Sequence, residues 1–248
     1  MDGIIVAADR KIEWLLDFWW SNYAKHNEFP VTFVDFGMST KAQLWCQERG
    51  RFISLPITPF IASKSQIEKA RAKEWEAVYG KEVWKRRQSW FKKPLALMQT
   101  PYDRTIWLDL DCEVLGPIGE LFELCKSGVA LAKETEAAHA HEKEQGQLLE
   151  NEILYNSGVI VYKKGEPLMK KWAETALHIN DQFWGDQQLL SRLIHHEQYP
   201  VIELGSEFNW RMSQGVGFHA VIIHWVGSWG KTYIRKHGGL SKQLEDLK

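Results

Sequence analysis

The stretch Ile106-Trp107-Leu108-Asp109-Leu110-Asp111-Cys112-Glu113-Val114 carries the strongest chemical signal in the chain. An apolar run leads straight into two carboxylates spaced i, i+2. In a strand that spacing puts both acids on one face, with Leu108 and Leu110 turned the other way into a core. Glu113 either continues the alternation as a third acid on that face or turns away in the following loop. Like charges this close need a cation between them, and hard oxygen ligands suit Mg²⁺ or Mn²⁺. Three further clusters pair polar residues with small ones: Asn156-Ser157-Gly158-Val159, Gly185-Asp186-Gln187-Gln188 and His224-Trp225-Val226-Gly227, the last followed by Lys231.

The elements around these clusters follow from hydrophobic period and punctuation. Ile4 to Ala8 is a β-branched run, and Ile12 to Tyr23 has the i, i+3, i+4 spacing of a helix. Val31 to Val34 is a second strand ending at Asp35, and Ser39 caps a helix through Arg49. Phe52 to Leu55 is a third strand, closed by Pro56 and Pro59. A charged helix covers about Ser65 to Tyr79, and another begins near Pro94. The acidic strand follows, then strands at Val129 to Ala132 and Ser157 to Tyr162. Helices at Pro167 to Asn180 and Asp186 to His196 precede strands near Val201 and Val221 to His224. Strand-helix alternation predicts a parallel sheet with ligands at the carboxyl ends of its strands. Asp9, Asp35 and the Asp109/Asp111 pair all fall at such ends. Glu134 to Glu152 is a polar, charged segment, an excursion or a surface helix, with a lid over the site as one expectation for it.

In this order, against these elements, the four clusters resemble the metal-dependent glycosyltransferases of the GT-A fold. The nearest group is family 8, that of glycogenin and the bacterial lipopolysaccharide galactosyl- and glucosyltransferases. The resemblance runs from Ala7 to about Lys231. It implies an α/β, Rossmann-like GT-A fold: a mainly parallel central sheet flanked by helices, with a small antiparallel C-terminal portion. Residues 1–248 then form one domain, nucleotide-binding over about 1–115 and completing the metal and acceptor sites over about 116–248. Asp109, Asp111 and His224 would bind the metal, Mn²⁺ or alternatively Mg²⁺. Ala7, Ala8, Asp9, Asp35 and Leu110 fall in the nucleotide pocket, and Gly227 and Lys231 at the diphosphate. Lys93 (or Lys92) and Ser157 fall at the donor sugar, with Asn156, Asp186 and Gln187 at the reacting centre. The implied reaction moves a hexose from a UDP-sugar, UDP-glucose or UDP-galactose, to a hydroxyl of a glycan, lipid-linked or protein acceptor, with retention. The chain departs from the family at Gly230, where a lysine is usual, and at Gln188, where a second acid is usual. Two alternatives follow: a GT-A module that binds nucleotide sugar or glycan with little turnover, and an inverting enzyme with Asp186 as base. A nucleotidyltransferase is disfavoured, because Val6 to Arg10 lacks a glycine-rich loop.

Composition narrows the partners. A formal net charge of −1 gives no field that would draw nucleic acid. The three cysteines (Cys46, Cys112, Cys125) form no Cys-x-x-Cys pair, which fits a reducing compartment. Met1 to Ala8 reads as a first strand and not a signal peptide, and no apolar stretch is long enough to span a membrane. The expected location is cytoplasmic, with peripheral attachment at an inner membrane face as the variant. Of the 13 tryptophans, Trp19, Trp20, Trp107 and Trp172 read as packing, while Trp225 and Trp229 are placed for a site. His139/His141 and His195/His196 read as surface residues.

Overall fold

The computed structural model describes residues 1–55, 60–215 and 217–246; Pro56 and Pro59 lie outside them. In chain order the elements are β1 (Asp2–Ala8), α1 (Leu15–Tyr23), β2 (Val31–Asp35), α2 (Thr40–Gln47), β3 (Arg51–Ser54), α3 (Lys69–Tyr79), α4 (Val83–Trp90), α5 (Lys93–Leu97), β4 (Arg104–Leu108) and β5 (Cys112–Val114). There follow β6 (Val129–Lys133), α6 (Glu136–Glu144), β7 (Tyr155–Lys163), α7 (Pro167–Ile179), α8 (Asp186–Glu197), β8 (Val201–Glu203), β9 (Ile222–His224), α9 (Gly227–His237) and α10 (Gly239–Asp246). A seven-stranded sheet runs β3-β2-β1-β4-β7-β6-β8, and β5 pairs with β9 in a second, two-stranded sheet.

The period of two along β1 explains the layers. Ile4, Val6 and Ala8 enter one core with α1 and α2 residues such as Trp19 and Cys46. Ile5 and Ala7 enter the other, with Leu97, Trp172 and Leu190 from α5, α7 and α8. Both faces are covered, so the strands read as continuous apolar runs. Ser39 caps α2 as the sequence implies, accepting from the Ala42 N–H. The first helix starts later than its apolar spacing suggests. The Asp9 carboxylate accepts the N–H groups of Lys11 and Ile12 and holds those residues in a turn.

Two features differ from the sequence expectation, and both bear on the site. Ile106 to Val114 is not one strand. The Asp109 N–H donates to the Gly158 carbonyl at 2.8 Å, and the Cys112 N–H then donates back to Asp109 at 2.9 Å. Asp109-Leu110-Asp111 is therefore the turn that carries the chain from the large sheet into the small one. Leu108 and Leu110 share a core, as expected. Glu113 has left the acidic face entirely. It is buried and accepts from Trp225 Nε1 and the N–H groups of Leu240 and Ser241, tying down the start of α10. The second difference is direction: β7 runs antiparallel to both β4 and β6. The start of β7 consequently lies beside the carboxyl end of β4, with Val159 opposite Leu108.

A third small core, of Ile67, Ala72 and Trp75 with Tyr79, Trp84 and Trp184, seats α3 and α4. Arg87, fully buried, stacks on Trp75 and Phe91 and donates to the Phe183 and Asn180 carbonyls. Neither α4 nor the pair α9 and α10 was expected from periodicity. Among the described residues no helix is long and apolar enough to cross a membrane.

Candidate active site

β1 has β2 on one side and β4 on the other, so strand order reverses there and leaves a crevice at the carboxyl ends. Into this crevice the turn after β4 sends Asp109 and Asp111. The β5–β9 pairing sets Cys112 opposite His224, and the Trp225 N–H donates to the Asp111 carbonyl at 2.9 Å. Residues more than a hundred positions apart are thereby locked side by side. One ligand atom from each of Asp109, Asp111 and His224 lies within 4.8 Å of the others. No other group of three such side chains occurs among the described residues. Two carboxylates and an imidazole nitrogen suit Mn²⁺ or a similar divalent ion.

Each aspartate has its own lysine. Lys93 Nζ lies 3.0 and 3.2 Å from the two Asp109 oxygens, 3.0 Å from Ser157 Oγ and 3.5 Å from Asp186 Oδ2. Burial by itself would lower the Lys93 ammonium pKa, but Asp109 and Asp186 outweigh it and hold that pKa above its ordinary value. Asp111 pairs with Lys231 and lies 3.5 Å from His224 Nε2. Burial works against its charge, yet Lys231 and His224 keep its carboxyl well below the usual carboxylate range. Asp186, at the start of α8, is pushed up by burial although Lys93 pulls the other way. The two acids that need a cation between them thus sit in a frame of fixed positive charge.

The small residues of the clusters have steric reasons. A Cβ on Gly158 would lie 2.0 Å from His224 Cε1, so only glycine lets the imidazole close over β7. A Cβ on Gly230 would meet the Trp225 carbonyl oxygen at 2.3 Å. Position 230 therefore faces backbone, and the next residue, Lys231, reaches Asp111. Gly227 opens α9 at φ +78, which favours glycine.

Beside the acidic pair the polar groups of the other clusters interlock. Asn156 Nδ2 donates to Gln187 and Glu134 at 2.8 Å each, Gln187 Nε2 donates to Glu134 at 3.0 Å, and Ser157 Oγ donates to Asp186 at 3.0 Å. Arg211 donates to both Glu134 oxygens at 3.0 Å. Burial tends to raise the Glu134 pKa, but Arg211 and the amides bring it below its ordinary value. A cavity of about 220 Å³ opens beside His224, lined by Glu134, Arg211, Met212 and Trp229 among others.

Other expected residues form a separate group. Asp35 accepts from the N–H groups of Gly37 and Met38 and from Gln43, so its carboxylate serves its own turn. Asp9 accepts from Ser89 Oγ as well as its own turn. Lys92 lies near both acids and donates to the Phe36 carbonyl. Ala7, Ala8 and Leu110 are buried, which leaves Leu110 only backbone to offer a ligand. Trp225 is packing: it is buried, stacks on Tyr233 at 4.5 Å and donates to Glu113. Trp229, 61% exposed, stands at the cavity rim. The Glu134 to Glu152 segment is anchored rather than loose. Glu134 is held by Arg211, Glu142 accepts from Tyr79 and Trp184, and Glu152 pairs with Arg192. Sequence reasoning passed over Asn209, Arg211 and the role of Glu134. Glu134 follows β6 directly, the same strand-end signal that marks Asp9 and Asp109; Asn209 and Arg211 lie in irregular chain and carry no such signal.

The fold has solved counterparts. The galactosyltransferase LgtC, in complex with donor and acceptor sugar analogues, superposes with a TM-score of 0.58 at 16% identity, covering 92% of this chain and 88% of that one. This chain has a GT-A fold. Mouse xyloside xylosyltransferase 1 shares it at TM-score 0.56 and 16% identity, over 92% of this chain and 98% of its own. The glycosyltransferase GlyE of Streptococcus pneumoniae does so at 0.53 and 15%, over 91% and 54%. No protein-family model and no curated protein sequence matches the chain. Shared architecture at this identity carries the GT-A scaffold, and the chemistry must come from the residues upon it.

Proposed function

We propose that this protein is a metal-dependent hexosyltransferase that moves a sugar from a UDP-linked donor to a hydroxyl acceptor with retention. The observation that carries this reading is the convergence of Asp109, Asp111 and His224 at the switch point of a GT-A sheet. Bound there, Mn²⁺ would act as a Lewis acid on the leaving diphosphate. Lys231 and the α9 start at Gly227 offer a further cation and close backbone approach to the same phosphates. Ala7, Ala8 and Asp9 at the end of β1 form the base and ribose side, with Asp35 supporting the adjoining turn. Lys93, Ser157 and Asp186 hold the donor sugar, and Asn156 and Gln187 fix the geometry of the reacting centre by hydrogen bonding.

The retaining course is favoured over inversion by one arrangement. Asp186 is buried with its Oδ2 already bound by Ser157 and close to Lys93. An inverting base must face an acceptor hydroxyl, and one oxygen of this carboxylate is taken up from within. Glu134, held by Arg211 and two amides, is likewise occupied. The cavity beside His224, with Trp229 at its rim, supplies the acceptor seat: aromatic surface suits a sugar face, and the polar wall suits its hydroxyls.

Calorimetric titration of UDP into the protein tests the reading. UDP binding that requires Mn²⁺ and is lost in Asp111→Ala supports its metal and nucleotide parts, and turnover of a UDP-sugar separates it from a module that only binds. UDP binding of equal strength with and without metal contradicts it.

A further inference from the structure

The hydrogen-bond polarity around His224 can be followed outward to a group whose direction admits no choice. The backbone N–H of Gly158 donates to Asn156 Oδ1 at 2.9 Å. A backbone N–H can only donate, so the Asn156 amide is oriented with its oxygen inward. Its nitrogen then faces Glu134 Oε1 at 2.8 Å, and a carboxylate held by Arg211 can only accept. The two ends agree. Asn209 Nδ2 lies 2.9 Å from the same Asn156 oxygen and must donate to it. The Asn209 oxygen is therefore the atom 3.0 Å from His224 Nδ1. An amide oxygen accepts only, so Nδ1 carries the proton, and Nε2 faces Asp111 Oδ1 at 3.5 Å and Asp109 Oδ2 at 3.9 Å.

We infer that Asn209 is a positioning residue that locks His224 into its Nδ1–H tautomer and so aims the Nε2 lone pair at the Asp109/Asp111 pair. The inference rests on the metal reading above for its purpose, though not for its geometry. A metal-binding imidazole needs its second nitrogen held by an acceptor, and here that acceptor is a neutral amide set by a chain of three donors rather than a carboxylate. Both asparagines are buried, as is His224. The same chain joins the metal corner to the donor-sugar corner, because Asn156 also donates to Gln187.

Long-range ¹H–¹⁵N correlation spectra of the ring, recorded on metal-free protein across a pH series that reaches its neutral form, read the tautomer directly. The expected wild-type spectrum shows His224 as Nδ1–H. In Asn209→Leu the Nδ1–H population falls and the Mn²⁺ dissociation constant, from electron paramagnetic resonance titration, rises roughly 10- to 100-fold. Asn209→Asp keeps an acceptor against Nδ1 but turns its second oxygen toward the Asn156 oxygen, so it keeps the tautomer and loses part of the Mn²⁺ affinity. If Asn209→Leu does not fold, Asn209→Ala carries the same two readouts without added volume. A wild-type ring that is Nε2–H, or an Asn209→Leu ring unchanged in both tautomer and affinity, overturns the inference. So does an Asn209→Asp ring that loses the Nδ1–H tautomer. Wild-type protein that fails to bind Mn²⁺ while showing Nδ1–H removes the metal reading and leaves the tautomer lock standing.

Discussion

Replacing Gly158 by alanine isolates the steric argument for the site. Gly158 lies within β7 and has no left-handed φ, so alanine meets no backbone objection. The added Cβ would fall 2.0 Å from His224 Cε1, 2.5 Å from its Nδ1 and 2.9 Å from Asn156 Oδ1. Carbon atoms rest about 3.5–4.0 Å apart, so the ring must retreat by roughly 1.5–2 Å. Overpacking of this kind costs about 1–3 kcal/mol. At about 2–4 °C per kcal/mol for a chain of this size, the melting temperature should fall by roughly 2–12 °C. A shift of about 1 Å in a catalytic group can cost about 100-fold, so sugar-nucleotide turnover should fall at least that far. Calorimetric Mn²⁺ titration and a donor-turnover assay on the folded variant measure both effects. A folded Gly158→Ala protein with wild-type Mn²⁺ affinity and turnover would refute the claim that glycine is there to admit the imidazole.

Three further outcomes follow from the same geometry. Lys93→Met leaves the buried Asp186 and its neighbour Asp109 without their cation, and metal-free protein should lose about 3–5 kcal/mol of stability. Asp186 already has its pKa raised by burial, and without Lys93 it rises further. A raised carboxylate pKa favours the folded state at low pH, so the deficit seen by thermal melting should be largest near neutrality and shrink as Asp186 takes up its proton; a deficit that grows on acidification would count against this. Trp229→Ala should raise the acceptor KM by about 10-fold, the equivalent of about 1.4 kcal/mol, and leave donor hydrolysis unchanged; equal loss of both would place Trp229 outside the acceptor seat. NMR of the first-formed product should show the donor's anomeric configuration, and an inverted product would sink the retaining assignment.

The parts of this protein that were legible in its sequence are those fixed by local chemistry. The β1–α1–β2–α2 alternation showed in short apolar, β-branched runs and in the helical spacing of α1, and Ser39 announced α2. Asp109 and Asp111 were marked by residue type and spacing, His224 was joined to them by the family resemblance, and the fold brings the three together. What stayed hidden depends on contacts distant in sequence. Nothing in Ile106 to Val114 shows that the chain changes sheets at Asp109, because the break is made by the Gly158 carbonyl and by the pairing of β5 with β9. Reversal of β7 is equally silent in an apolar run, yet it brings Asn156 and Ser157 to the carboxyl end of β4. Glu113 matched the acidic alternation and was drawn instead to the α10 N-terminus. Asn209 lies 15 residues from His224 in irregular chain, and only the folded backbone brings the two together. The helix α4 has a weakly apolar face, and the buried Arg87 on it stands where a sequence pattern would seek a hydrophobic residue.

The most direct test of the central claim is UDP release from a panel of UDP-sugars with Mn²⁺, comparing wild-type protein with Asp109→Ala and Asp111→Ala and confirming by circular dichroism that all three are folded. The account predicts release by the wild type with at least one UDP-hexose, abolished by chelation and by either substitution. Release unaffected by both substitutions, or metal-dependent UDP binding with no turnover of any donor, would contradict it.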